Sequence, residues 1–236
     1  MNSVSHIAIL RSARPATEHA RHLEFEVQNG QRFDFRPGQF ISLDLDLQQT
    51  KTRGLYSIAS APREDNRFDL CLSFRSEDRA SPSLFDLKPG DAIRFTGPFG
   101  FFTLRDPPDP ASAFIATGTG IAPLRAMLQH LYRRRHSGEV WLIFGVRHEP
   151  DILYRGEFEK LASEHPGFHF LPTLSRPEPG WTGLRGYVQQ HIPRHLSDKE
   201  GFHAYLCGRR NMVEDVTREL KRMGYSPQAI SSEEFD

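Results

Sequence analysis

The chain has 236 residues, enough for two modest domains or one large one. Its 30 basic and 30 acidic residues cancel, which removes the global field that nucleic acid or an anionic membrane attracts. Two cysteines, Cys71 and Cys207, exclude a disulfide framework and the thiolate set of an iron–sulfur cluster, and no apolar run approaches the roughly 18 residues of a membrane span.

The N-terminus, MNSVSHIAIL, lacks the charged-then-apolar pattern of a signal segment, so the expectation is a soluble cytoplasmic protein with no nucleic-acid or membrane partner. Residues 1–104 alternate. Leu23, Phe25 and Val27 share one face, as do Ile41, Leu43, Leu45 and Leu47, and then Phe68, Leu70, Leu72 and Phe74. Period two, broken by turns such as RPGQ and KPGD, predicts antiparallel strands in a barrel or sandwich. Within this half, residues 53–60 read RGLYSIAS. They fit an ordinary half-buried strand, or a surface that holds something flat and negatively charged; the eight residues alone leave both open. SPSLFDL predicts one short helix, with Ser81 as N-cap and Pro82 at its first position.

At RDPPDP, residues 105–110, three prolines make a stiff linker, and the expected domain boundary lies there. Beyond it, SAFIATG, VWLIFGV, FHFLPTL and FHAYLCG predict buried strands. PLRAMLQHLYRRR places Leu124, Met127, Leu128 and Leu131 at helical spacing. NMVEDVTRELKRMG carries an Asn211…Glu214 capping box, an apolar stripe of Met212, Val216, Leu220 and Met223, and Gly224 as a stop. Strands alternating with helices predict a parallel sheet covered on both faces.

Thr117-Gly118-Thr119-Gly120 ends the first of these strands, and a helix is expected to open at Pro123. Glycines let a backbone approach a phosphate, and a helix N-terminus supplies free N–H donors; a proline stands where the dinucleotide fingerprint has its third glycine. A plain strand-to-helix turn is the alternative, but the first βα turn of an open sheet is where ligands bind. Cys207-Gly208 repeats the design at a later strand end. A structural buried cysteine explains it; so does a small side chain bordering the nicotinamide of a dinucleotide. His165 and His169, like His191 and His195, are four apart, but Pro166-Gly167 and Pro193 interrupt a helix that would align them, and no metal site is expected.

Taken in order, RGLYSIAS, ASPSLFDLKPGD, GPFG, GTGIAP, YLCG and a terminal EEFD resemble the ferredoxin–NADP reductase family, most nearly its bacterial ferredoxin/flavodoxin reductases, from about residue 36 to residue 236. The resemblance implies an antiparallel FAD-binding β-barrel over 1–104 and a parallel five-stranded α/β nucleotide-binding domain over 111–236, whose tail lies over the flavin. Arg53 would pair with the flavin pyrophosphate, Tyr56 would stack on the isoalloxazine, Ser57 would stand near N5, and Leu55, Ala80 and the helix cap Ser81 would complete the seat. Where the family often has a glycine upstream of that cap, this chain reads Asp78-Arg79-Ala80. Gly118, Thr119, Gly120 and Pro123 would hold the nicotinamide dinucleotide, with Gly208 beside it.

In the tail, the resemblance makes Phe235 a movable ring over the flavin and Glu233 a proton-relay carboxylate; a frayed polar end is the alternative. Ser57, Cys207 and Glu233 would surround the hydride transfer. Arg147, Ser175-Arg176 and Arg185 would face a 2′-phosphate and select NADPH over NADH, although exposed arginines also occur simply as solvated charges. The implied enzyme delivers electrons to a separate ferredoxin or flavodoxin. Two alternatives remain: an NADH-dependent reductase component of a two-component oxygenase, and a non-catalytic electron-transfer subunit.

Overall fold

The computed structural model describes residues 5–28, 30, 32–47, 50–74, 84–197 and 202–235. The chain divides into two compact units, Met1–Leu104 with Arg125–Arg133, and Arg105–Leu124 with Arg134–Asp236.

The first unit contains β1 (Ser5–Thr17), β2 (Ala20–Val27), β3 (Phe40–Leu47), β4 (Thr50–Ser57), β5 (Arg67–Ser73) and β6 (Ala92–Phe99). They form one antiparallel sheet in the order β4-β3-β6-β1-β2-β5. A bridge between Ile58 and Leu70 joins the chain beyond β4 to β5, so the sheet curls toward closure. The period-two reading places most of this core, but Phe74, expected on the face of Phe68, Leu70 and Leu72, lies past the end of β5 and is 46% exposed. Leu23, Phe25, Ile41, Leu43, Phe68, Leu70 and Phe95 are all fully buried. Ser81 and Pro82 lie outside the described residues, so the capped helix expected there is not described.

The second unit is built on β7 (Ala111–Thr117), β8 (Glu139–Val146), β9 (Phe168–Leu174), β10 (Leu184–Arg185), β11 (His203–Arg209) and β12 (Ile230–Phe235). Every neighbouring pair is parallel, in the order β10-β9-β8-β7-β11-β12. The sheet has six strands where the resemblance implies five. Two of the six leave no mark in the hydrophobic pattern: the two-residue β10, too short to show a period, and β12, which is the polar tail itself. Sequential strands run outward from β7 to β10, and the chain then returns to place β11 on the other side of β7. That reversal makes a topological switch point between β7 and β11, where such sheets form a crevice.

Among the described residues beyond Leu104, the α-helices are α1 (Ile121–Arg133), whose later turns belong to the first unit, α2 (Arg155–Glu164), α3 (Ile192–Leu196) and α4 (Arg210–Arg222). Helix α1 opens at Ile121, two residues before Pro123, because Gly118–Gly120 already turn as a 3-10 helix that runs straight into it. The capping box expected at Asn211…Glu214 is absent. Strand β11 passes into α4 without a turn, so Arg209 occupies the cap position and Asn211 lies inside the first helical turn. The end of α4 follows the sequence pattern. Gly224 adopts φ +92°, and the Tyr225 N–H donates back to the Leu220 carbonyl at 3.0 Å. Met212, Val213, Val216 and Leu220 bury the apolar face of α4 against Ala113, Ile115 and Leu206 of the sheet.

Two buried histidines make stability pH-dependent. Burial pushes His22 and His203 down to about 4, with Asp69 opposing the shift at His22 and the Arg105 charge adding to it at His203. Both folded values lie below the unfolded one, so their contribution is complete above the unfolded pKa and is lost as pH falls toward 4. Urea unfolding between pH 7.5 and pH 5 is expected to register a loss of about 2 kcal/mol per histidine. His203→Gln keeps a hydrogen-bonding partner for the Ser231 hydroxyl, 2.8 Å from the histidine ring, and should make the slope shallower by removing the His203 contribution.

Candidate functional site

In the first unit, β3 and β4 pair so that Tyr56 lies opposite Ile41 and Gly54 opposite Leu43. Both partners point into the core, so Gly54 and Tyr56 share that face. A side chain at Gly54 would stand 2.6 Å from Tyr56 Cε2 and 2.8 Å from its hydroxyl oxygen. The tyrosine ring therefore folds back flat along the strand, over a residue that must lack a Cβ. A half-buried aromatic ring held this way fits the stacking partner that an isoalloxazine requires. Ser57, the next residue, is buried at 9% exposure.

Arg53 does not join them. It stands three positions before Tyr56, and alternation sends the two side chains to opposite faces of β4. Arg53 pairs with Asp44 across β3 at 3.2 Å and is 70% exposed. Leu55 shares that outer face at 66% exposure. Strand parity thus gives arginine and tyrosine opposite faces of β4, which is an edge strand of its sheet. Ala80 and Ser81 lie outside the described residues.

The second unit gathers its predicted residues along one line, the carboxyl edge of the parallel sheet. Arg185 ends β10 and pairs in register with Leu174, the last residue of β9, which itself pairs with Val146, the last of β8. Arg147 and Ser175-Arg176 follow directly, and the Arg176 N–H donates to the Arg147 carbonyl at 2.9 Å. The three guanidinium groups therefore leave adjacent stretches of backbone, all exposed. Arg185 is further oriented by a 2.7 Å bond from its Nη2 to the Trp181 carbonyl.

Next along the edge comes the β7 turn. Gly118 adopts φ +54° with nothing within 4 Å of where a Cβ would be, a conformation that glycine enters without strain. Gly120 is the opposite case: a Cβ there would meet the Cys207 carbonyl oxygen at 2.2 Å and the Gly208 nitrogen at 2.9 Å. At Gly208 a Cβ would lie 2.3 Å from Thr117 Oγ1. The turns after β7 and within β11 thus interlock backbone to backbone. Pro123 is buried in the first turn of α1, where a missing N–H leaves no bond unmade. Thr117, which sequence reasoning missed, has a buried hydroxyl without a hydrogen-bond partner among the described residues. A polar atom left so at a phosphate-type turn fits a bound nucleotide.

The edge closes with Cys207 and the tail. Cys207 is fully buried and pairs in register with Glu233, while Arg209 pairs with Phe235. Burial, and secondarily the Glu233 charge, pushes the Cys207 thiol well above its ordinary pKa, so it remains a protonated wall of the site. Glu233 and Phe235 are both half-buried, and Glu234 pairs with Arg210 at 3.2 Å. The tail is a strand over Ile230–Phe235, so its frayed-end alternative does not describe it. Among the described residues, no three His, Cys, Asp or Glu converge as metal ligands, and no helix is long and apolar enough to cross a membrane.

The two halves match two family models, an oxidoreductase FAD-binding domain over residues 8–104 and an oxidoreductase NAD-binding domain over 114–218. The chain is 41% identical to ferredoxin–NADP reductase B of Sorangium cellulosum, over 97% of either protein. It is 35% identical to the reductase subunit of an aromatic O-demethylase from Amycolatopsis, covering 85% of this chain and 61% of that one. Among solved structures, the Amycolatopsis cytochrome P450 reductase GcoB superposes with a TM-score of 0.89 at 30% identity, over 98% of this chain and 70% of that one. A ferredoxin–NADP+ reductase from Neisseria gonorrhoeae superposes with a TM-score of 0.82 at 20% identity, over 98% of each, a likeness of fold. With an FAD-binding and an NAD-binding oxidoreductase domain in sequence, this chain belongs to the ferredoxin–NADP reductase family.

Proposed function

We propose that this chain is a cytoplasmic FAD-dependent reductase that takes a hydride from NADPH and passes electrons to a separate one-electron carrier, ferredoxin or flavodoxin. The observation that carries the reading is the order of groups on the carboxyl edge of the second sheet. Arg185 ends β10, Arg176 and Arg147 lie just beyond β9 and β8, glycines follow β7, and Cys207, Glu233 and Phe235 lie on β11 and β12. A dinucleotide stretched along that edge has its 2′-phosphate at the arginines, its pyrophosphate over Gly118–Gly120, and its nicotinamide toward β11.

When bound, a flavin accepts a hydride at N5 and releases electrons singly, which lets one enzyme join a two-electron donor to a one-electron acceptor. The protein's part is placement. Tyr56 supplies the stacking ring and Ser57 a hydroxyl beside the accepting atom. Arg53 serves the pyrophosphate around the free edge of β4, exchanging its exposed Asp44 partner at little cost. Cys207 would bound the nicotinamide as a neutral thiol, Phe235 would be the movable ring for the flavin, and Glu233 would hold the proton-relay position. We assign residues 1–104 to the flavin and 111–236 to the nucleotide, with 105–110 as the linker.

The 35% likeness to an O-demethylase reductase subunit supports a second reading, an NADH-dependent component of an oxygenase. One experiment separates them. The purified protein is expected to carry or take up FAD and turn yellow, and anaerobic NADPH is expected to bleach it at least tenfold faster than NADH. Absence of flavin uptake overturns the assignment; bleaching by NADH alone selects the second reading; a flavin that neither nucleotide bleaches makes the chain a non-catalytic subunit.

A further inference from the structure

The chain that follows Tyr56 and Ser57 leaves the strand and runs through Ala59–Pro62 without a regular ladder, so its backbone polar groups need partners from elsewhere. They find them on α1, whose later turns, Arg125–Arg133, belong to the same compact unit. Arg125 Nη1 donates to the Ala59 carbonyl at 2.7 Å, Gln129 Oε1 accepts from the Ala61 N–H at 3.1 Å, and Arg133 Nη1 donates to the Pro62 carbonyl at 3.2 Å. These three residues are spaced four apart, so they form one stripe along the helix, and each tooth meets one backbone group.

A buried ion pair anchors the comb. Arg125 and Asp69, 6% and 2% exposed, lie 3.1 Å apart, and Asp69 also pairs with Arg63. Asp69 holds the same segment through its own backbone: its carbonyl accepts from the Ala59 N–H at 2.8 Å, and its N–H donates to the Ser60 hydroxyl at 3.0 Å. The later turns of α1 come close to the loop at Gly38, where a Cβ would meet the Phe102 carbonyl at 2.1 Å and Met127 Cε at 2.5 Å. Burying an arginine–carboxylate pair contributes little net stability compared with apolar packing; what such a pair supplies here is one defined backbone position.

We propose that Arg125, Gln129 and Arg133 are positioning residues that fix the Ala59–Pro62 backbone and thereby the placement of Tyr56 and Ser57 against the flavin. This rests on the reading of Tyr56 and Ser57 as the flavin-facing pair. None of the three touches a reacting atom; they act through the main chain. Gln129 gives the cleanest test, because its neutral side chain leaves the Arg125–Asp69 pair intact.

In the full-length apoprotein, Gln129→Leu is expected to raise amide exchange at Ala61 about tenfold or more. After addition of FAD, the same variant is expected to show an altered visible circular-dichroism band. Its kcat for NADPH oxidation with ferricyanide should fall about tenfold at unchanged KM, the signature of a misplaced acceptor. Gln129→Glu keeps an acceptor oxygen for the Ala61 N–H and should restore all three readouts. Faster exchange with an unchanged flavin band and unchanged kcat overturns the positioning role while leaving the flavin reading intact. Unchanged exchange also overturns it, by removing the clamp. An unaltered chain that takes up no FAD overturns the flavin reading and this proposal together.

Discussion

Gly120→Ala is expected to lower kcat/KM for NADPH by about 10²-fold or more while FAD uptake by the first unit is retained. The cause is space rather than dihedral preference. The added methyl would sit 2.2 Å from the Cys207 carbonyl oxygen and 2.6 Å from its carbon, and backbone atoms of a central parallel strand cannot rotate away as a side chain can. The turn must lift off β11 instead, carrying with it the N–H groups that open α1. A displacement of about 1 Å at a positioning element costs on the order of 10²-fold in rate. Gly118→Ala is the informative contrast. Its Cβ meets nothing within 4 Å, so only the left-handed backbone at φ +54° is penalised, about 1 kcal/mol. Steady-state kinetics on both variants, with flavin content as the folding control, checks the pair. Near-normal kcat/KM in Gly120→Ala would show that the turn does not carry the nucleotide.

Removing the arginines at the other end of the same edge should change which nucleotide is used. The double substitution Arg176→Ala, Arg185→Ala is expected to reduce kcat/KM for NADPH about 10²-fold and that for NADH by less than about threefold. A charge-assisted hydrogen bond to a phosphate contributes about 1.5–3 kcal/mol, and only NADPH presents that phosphate. Both side chains are exposed and outside the core, so the substitutions spare the fold. The Trp181 turn persists without Arg185, because Trp181 Nε1 donates to the Leu184 carbonyl at 2.8 Å by itself. Added salt should weaken NADPH binding in the unaltered protein more than in the variant. Equal losses with both nucleotides would mean that these arginines do not read the 2′-phosphate.

Much of this site is legible in local chemistry. The glycines of TGTG, the cysteine–glycine pair and the Ser-Arg pair each announce a strand end, and parallel topology brings strand ends to one edge. Parity is equally legible: residues three apart on a strand face opposite ways, which separates Arg53 from Tyr56 without any structure. The capping box at Asn211…Glu214 shows the converse case. Its spacing is right, but β11 enters α4 directly, so the cap position falls on Arg209, which makes no side-chain cap bond, and Asn211 is already helical.

Two properties follow from the chain alone: the alternation that makes one half antiparallel and the other half parallel, and the glycine and arginine types at the strand ends. Both depend on side-chain period and backbone freedom, which act over a few residues. Three others emerge only when the folded molecule brings distant segments together. The polar tail is a sixth strand beside Cys207, Gly120 is pinned to the β11 backbone, and Arg125, Gln129 and Arg133 hold Ala59–Pro62. Each depends on which distant backbone segments come into contact or hydrogen-bonding reach after the core has packed, and no local pattern encodes that.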